Sequence, residues 1–155
     1  MKEKILEFVM TGSYDSIIFG QMTNRQTITN KLGKISGKNK KNGLFEILYK
    51  DNVYYYVGFG VIGFLQGIKI SELYKYKLDL NSILKELSLL KITYEVICSE
   101  KVFLKDKKIY MFFKSETIDE HYLEEVIKAN DFDVMQSLCS APFALMLAND
   151  RRKFR

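Results

Sequence analysis

Residues 44–70, LFEILYKDNVYYYVGFGVIGFLQGIKI, decide the fold. They divide into three runs rich in β-branched and aromatic residues: 45–49, 53–57 and a longer stretch over 61–70, broken by Gly63 and Gly67. Runs of this length and composition predict strands. Asp51-Asn52 between the first two is a tight-turn signal. The expected product is an antiparallel meander.

Toward the N-terminus, residues 2–10 predict a helix with Ile5, Leu6, Phe8 and Val9 as its apolar face, closed at Thr11-Gly12. A short strand is expected over 16–19. Thr23 and Gln26 have capping-box spacing, in which each side chain satisfies a free backbone donor of the other's residue. They open a predicted helix over 24–32, with Ile28 and Leu32 on one face and Gly33 as its stop. Residues 34–43, KISGKNKKNG, are polar, basic and glycine-flanked, and read as a loop.

Toward the C-terminus the outline repeats. Leu80, Ile83, Leu84, Leu87 and Leu90 have helical spacing, with Asp79 or Asn81 as the cap. Strands are expected over 92–97, 102–104 and 109–113, with Lys105-Asp106-Lys107 as a turn. Thr117 and Glu120 form a second capping box. They predict a helix to Ala129 with Ile118, Tyr122, Val126 and Ile127 facing inward. A last helical segment is expected over 134–148, kinked or divided at Pro142. The fold class is α+β, antiparallel meanders packed with helices in one domain over 1–155, with 1–75 and 76–155 as candidate halves.

Composition supports a packed core. Hydrophobic residues make up 47% and charged residues 28%, so disorder is not expected. The first residues, MKEKILEFVMTG, lack the uninterrupted apolar stretch of a secretory signal, and no run reaches the roughly 18 apolar residues of a membrane span. The expected location is the cytosol, with Cys98 and Cys139 reduced. Net charge is +5 but uneven. Glu116, Asp119, Glu120, Glu124, Glu125, Asp131 and Asp133 gather in one segment. Lys34, Lys38, Lys40 and Lys41 gather in another, and Arg151, Arg152, Lys153 and Arg155 in the tail.

Several strings resemble catalytic or cofactor motifs and are weighed by context. Gly58, Gly60 and Gly63 match GxGxxG, but a dinucleotide site needs a helix next, and Phe64 to Ile70 reads as a strand. The glycines are expected to shape turns or bulges, and no cofactor is expected. His121 is the sole histidine, read as a solvated residue on a surface helix and not as a base. With two distant cysteines it makes no zinc set, so no metal is expected. Glu120 and Glu124 share a face of the predicted helix, opposite its apolar stripe. The seven acidic residues are the candidate partner-binding site, docking on a basic protein. Lys107 to Lys114 interleaves lysines with aromatics but lacks the glycines of an RNA-binding strand.

Residues 5–70 carry a pattern found in bacterial proteins: Phe19-Gly20-Gln21-Met22-Thr23, Ile28-Thr29-Asn30-Lys31-Leu32-Gly33-Lys34-Ile35, Leu48-Tyr49 and Val61-Ile62-Gly63-Phe64-Leu65-Gln66-Gly67-Ile68-Lys69-Ile70. The pattern resembles the outer-membrane-assembly lipoprotein domain. It is closer to that domain's cytosolic relatives, which look like immunity proteins of contact-dependent growth inhibition and other polymorphic toxin systems. Ile35 stands where the pattern usually has proline. The resemblance implies a binding scaffold whose contact residues the motif does not fix. The expected function is therefore an immunity protein, not an enzyme, that binds a cognate toxin domain. A small nucleic-acid-binding regulator using the lysine loop and basic tail is the alternative.

Overall fold

The structure, a computed structural model, describes residues 1–19, 25–32, 36–41, 44–57, 64–98, 100–131, 134, 135 and 138. Among the described residues three helices of eight residues or more, α1 (Lys2–Thr11), α2 (Arg25–Leu32) and α3 (Leu80–Leu89), accompany ten strands. Strands β1 (Ser13–Tyr14) and β2 (Ile17–Ile18) form a small hairpin. The other eight form one antiparallel sheet. They are β3 (Ser36–Lys41), β4 (Leu44–Tyr49), β5 (Asn52–Val57), β6 (Phe64–Ile70), β7 (Glu95–Cys98), β8 (Lys101–Leu104), β9 (Ile109–Thr117) and β10 (Glu120–Ala129). Their order is β3-β4-β5-β6-β10-β9-β8-β7. Each four-strand meander thus runs from an edge to the centre, where β6 and β10 pair with Val126 opposite Ile70 and Ala129 opposite Gly67. The fold is α+β with antiparallel sheets, as the sequence predicts.

Alternation along the strands gives the sheet two apolar faces. Ile47, Tyr54, Ile68, Met111, Phe113, Leu123 and Val126 pack with Ile5, Phe8 and Val9 of α1 and with Ile83 and Leu87 of α3. On the other face Tyr55, Phe103, Tyr110, Ile127 and Ala129 pack with Val134, Met135 and Leu138. Phe103 and Tyr110 stack there, 4.3 Å between ring centroids. A Cβ at Gly67 would lie 2.8 Å from Leu138 Cδ1 and 3.2 Å from the Lys128 carbonyl oxygen, so a larger residue there would make the Leu138 side chain shift.

Local chemistry sets the helix ends. α1 stops at Gly12, left-handed at φ 76, whose N–H reaches Phe8 O at 2.8 Å. α3 starts at Asp79, whose Oδ2 accepts the Ser82 N–H at 3.0 Å. Asp79→Ala is expected to lower unfolding free energy by about 1 kcal/mol. A urea titration showing no change would remove the cap from the account of this helix.

Two predictions about secondary structure are overturned. The expected loop over 34–43 contains a strand, β3, with Lys38 opposite Ile47 and Lys41 opposite Leu44. It is an edge strand, where polar and lysine-rich sequence suits an exposed ladder and discourages pairing with other chains. The expected helix over 117–129 is instead the end of β9, a two-residue turn and strand β10, because β9 offers β10 a long ladder. Smaller shifts accompany these. Asp51-Asn52 is not the turn; Lys50 and Asp51 turn, and Asn52 opens β5, buried, with its Nδ2 donating to Asp15 Oδ2 at 3.1 Å. Leu84 is only half-buried and Leu90 is exposed. The Thr23 cap, Gly33, Gly58, Gly60, Gly63, Cys139, Pro142 and the basic tail lie outside the described residues. No helix among the described residues is long and apolar enough to cross a membrane.

Lys128 on β10 is half-buried, its Nζ donating to the Lys107 carbonyl at 2.6 Å. Burial first, then the charges of Lys107 and Lys108, lowers its pKa to about 8. An unfolded lysine titrates near ~10.4, so the folded state holds this proton less tightly. Stability therefore rises as pH climbs from about 8 to ~10.4, and the charged form costs stability below that window. Lys128→Met is expected to stabilise the protein by about 1 kcal/mol at neutral pH, a figure discounted for partial exposure. The gain should shrink toward zero above ~pH 10.4. Denaturant unfolding at both pH values checks this, and a pH-independent gain would contradict it.

Candidate functional site

The acidic residues are arranged by the β9–β10 hairpin. Thr117 and Glu120 face each other across a two-residue turn made by Ile118 and Asp119. The predicted side-chain-to-backbone capping box is replaced by a side-chain bond, Thr117 Oγ1 donating to Glu120 Oε1 at 3.2 Å, which closes a hairpin and not a helix. Ile118, expected to face inward, is 90% exposed at the tip. Exposure of a large apolar side chain at that level forgoes roughly 1.5–3 kcal/mol of burial, which a docking partner could recover.

Side chains brace this tip. Tyr122 Oη donates to Glu120 Oε2 at 3.0 Å, a bond that raises the phenol's pKa. Lys77 Nζ lies 3.3 Å from Glu116 Oε2 and sits over the rings of Tyr74 (3.5 Å) and Tyr122 (5.0 Å). Tyr74 and Tyr122 meet edge to face. Phe112 and Lys114 lie two apart on β9, and Tyr122 is opposite Lys114, so the three share one sheet face.

His121 is not a solvated helix residue. Its Nδ1 is 2.7 Å from Ser115 Oγ, and its Nε2 is 3.2 Å from the Ile118 carbonyl oxygen. Ser115 Oγ in turn donates to Glu100 Oε1 at 2.8 Å. The hydroxyl stands between acid and imidazole, whereas an activated serine needs the imidazole in the middle. The arrangement ties β9 to the tip and braces it.

Further along β10 the register slips between Leu123 and Glu125, so two residues, Glu124 and Glu125, oppose Phe112. Both carboxylates line a cavity of about 240 Å³ with Phe112 and Lys69. Glu125 is half-buried. Lys69 Nζ lies 3.5 Å from its Oε2, and Ser71 Oγ donates to the same oxygen at 3.4 Å. Burial raises the pKa of this carboxyl, against the opposing pull of Lys69.

The structure thus places Glu116, Asp119 and Glu120 at the hairpin tip, Glu124 and Glu125 midway along β10, and Asp131 apart from both groups. Asp131 lies past the end of β10, in the bend that follows Ala129. There its Oδ1 accepts the Val134 N–H at 2.9 Å, a capping role. Asp133 lies outside the described residues. The sequence reading gave no signal for Lys69, Tyr74 or Lys77, which come from other strands and turns, and weighed Phe112 only within the lysine–aromatic run of 107–114. Among the described residues no group of three or more His, Cys, Asp or Glu side chains could hold a metal ion.

A smaller polar cavity of about 150 Å³ lies at the other hairpins, lined by Lys4, Asp15, Lys50, Asp51 and Asn52. Of its two carboxylates, Asp15 is engaged by Lys4 and Asn52, and Asp51 by Lys75. No protein-family model, curated protein or solved structure matches the chain.

Proposed function

We propose that the protein acts by binding, as an immunity protein that captures a cognate toxin domain in the cytosol and blocks its active site or access to its target. The observation that carries this reading is Ile118, an apolar anchor 90% exposed on a braced turn and flanked by Glu116, Asp119 and Glu120. Interfaces draw most of their affinity from a few apolar or aromatic anchors set within a polar rim. An anchor already held in place loses little conformational freedom on docking. The carboxylates add an attractive field for a basic partner and speed encounter, although the chain as a whole is +5.

The test is growth protection. The C-terminal domain of a large secreted protein encoded in the neighbouring reading frame is expressed with and without this chain. Rescue of growth, with co-purification of the two chains, is the expected result. Continued killing at equal, folded expression would reject the immunity reading. Protein-free retention of DNA or RNA by the chain, lost on changing Lys38, Lys40 and Lys41, would favour the nucleic-acid alternative instead.

A further inference from the structure

We infer that the tip of the β9–β10 hairpin is a pH-sensitive element, held by His121 with a hydrogen on both ring nitrogens and released when Nε2 gives its hydrogen up. Only the use of this switch in docking rests on the protein-docking reading. The switch itself rests on geometry.

Four groups stand in line from the residue before β8 to the tip. Ser115 Oγ lies 2.8 Å from Glu100 Oε1 and 2.7 Å from His121 Nδ1, and His121 Nε2 lies 3.2 Å from the Ile118 carbonyl oxygen. A carbonyl only accepts, so Nε2 carries a hydrogen. An ionised carboxylate also only accepts, so the single hydroxyl hydrogen of Ser115 goes to Glu100. Ser115 Oγ then turns a lone pair to Nδ1, and Nδ1 must donate as well. All three contacts thus exist together only in the doubly protonated ring. The added proton belongs on His121 and not on Glu100, because a carboxylate is the weaker base of the two.

A neutral imidazole cannot complete the line. With its hydrogen on Nε2, the ring competes with Glu100 for one hydroxyl hydrogen. With its hydrogen on Nδ1, the Nε2 lone pair faces the Ile118 oxygen. Hydrogen bonds to an ionised carboxylate are the stronger kind. The contact given up is therefore the longest, His121 to Ile118, and that contact holds the tip.

Glu116 on β9, Asp119 and Glu120 at the turn, and Asp79, bridged to Tyr122 just before α3, put further carboxylates around the hairpin end. Among the cations, Lys77 is paired with Glu116. Lys114, adjacent to Ser115, and Lys101, opposite Phe112, project from the other face of the sheet.

The test uses the whole chain in nitrogen-15 NMR from about pH 5 to about pH 8, the span in which imidazoles change charge. Ring-nitrogen signals report His121, the sole histidine, and heteronuclear NOEs of the Ile118 and Asp119 amides report order at the tip. Both nitrogens should be protonated and the tip as rigid as the strands at the acid end. As pH rises, Nε2 should lose its hydrogen and tip NOEs should fall with the same midpoint. Glu100→Gln separates a switch from a plain brace. Its amide can donate to Ser115 Oγ, freeing the hydroxyl hydrogen for a neutral His121 Nδ1, so the tip should stay rigid throughout. Ser115→Ala removes the competition at Nδ1 and should also flatten the pH response. Amide dispersion reports folding, and Glu100→Gln alone decides should Ser115→Ala unfold. A tip equally ordered at both ends of the range, a midpoint apart from that of the ring, or an undiminished response in Glu100→Gln would overturn the switch. Its failure leaves hairpin docking standing, whereas failure of growth protection rejects the immunity reading and leaves the switch a property of the hairpin.

Discussion

Leu87→Ala is expected to cost about 3 kcal/mol of unfolding free energy, and Leu84→Ala, one helical turn earlier, only about 1 kcal/mol. Leu87 is fully buried where α3 lies on the sheet, so deleting its methyls loses their transfer energy and leaves a cavity that backbone on both sides cannot close. Leu84 is packed against the same cluster but keeps part of its surface in water, so its neighbours and solvent fill the space. Both leucines sit on one sequence periodicity, and periodicity alone gives them equal rank. Denaturant unfolding with unchanged m-values is the measurement. Losses below about 0.5 kcal/mol for both variants would remove α3 from the core, and equal losses would contradict the burial that separates them.

What was legible in the sequence follows from the range of the interactions involved. The helices α1 and α3 were readable because their signals are local. Ile5, Phe8 and Val9 repeat at helical spacing, and Asp79 lies one residue before its helix. Strands β4, β5 and β6 were readable because their runs are dense in Ile, Leu, Val and Tyr, with turn residues between. Strand β3 was not, since nothing in Ser-Gly-Lys-Asn-Lys-Lys favours extension. Its backbone is ordered by the ladder to β4. The largest error, a helix over 117–129, has a definite cause. Thr117 and Glu120 are three apart, and that separation suits a helix cap and a two-residue hairpin equally.

The turn itself, Ile118-Asp119, lacks the Asn-Gly or Gly signature that would have marked a hairpin. The bulge at Glu124 then interrupts the alternation that would have marked a strand. The candidate site was half legible for the same reason. Charge clustering along the chain pointed to Glu116 to Glu125, but the face they form depends on the strand. Lys77 reaches Glu116, and Lys69 and Phe112 reach Glu125, from elements that only the folded sheet brings near. Ile118 was read with the wrong sign, as core, because an apolar residue at helical spacing looks buried until the helix is removed.

That reversal gives the prediction with the largest effect on function. Ile118→Ala should leave unfolding free energy unchanged to about 0.5 kcal/mol, because the side chain touches little in the isolated protein. It should weaken capture of the toxin domain by about 2 kcal/mol, on the order of thirtyfold in Kd, with the loss mainly in dissociation rate. Reversing Glu116, Asp119 and Glu120 to Lys should act differently. Association should slow, and the defect should fade as salt screens the charges over distances beyond about 10 Å. Changing Lys38, Lys40 and Lys41 to Glu on the β3 edge should matter less. The three variants, compared at equal expression for growth protection and by stopped-flow binding over a salt series, separate anchor from steering. Loss of protection in the β3 variant alone would put the interface on the β3 edge of the sheet instead. Full protection by both hairpin variants would show that Ile118 and its carboxylates are surface without a partner, and the proposed docking mode would fall with them.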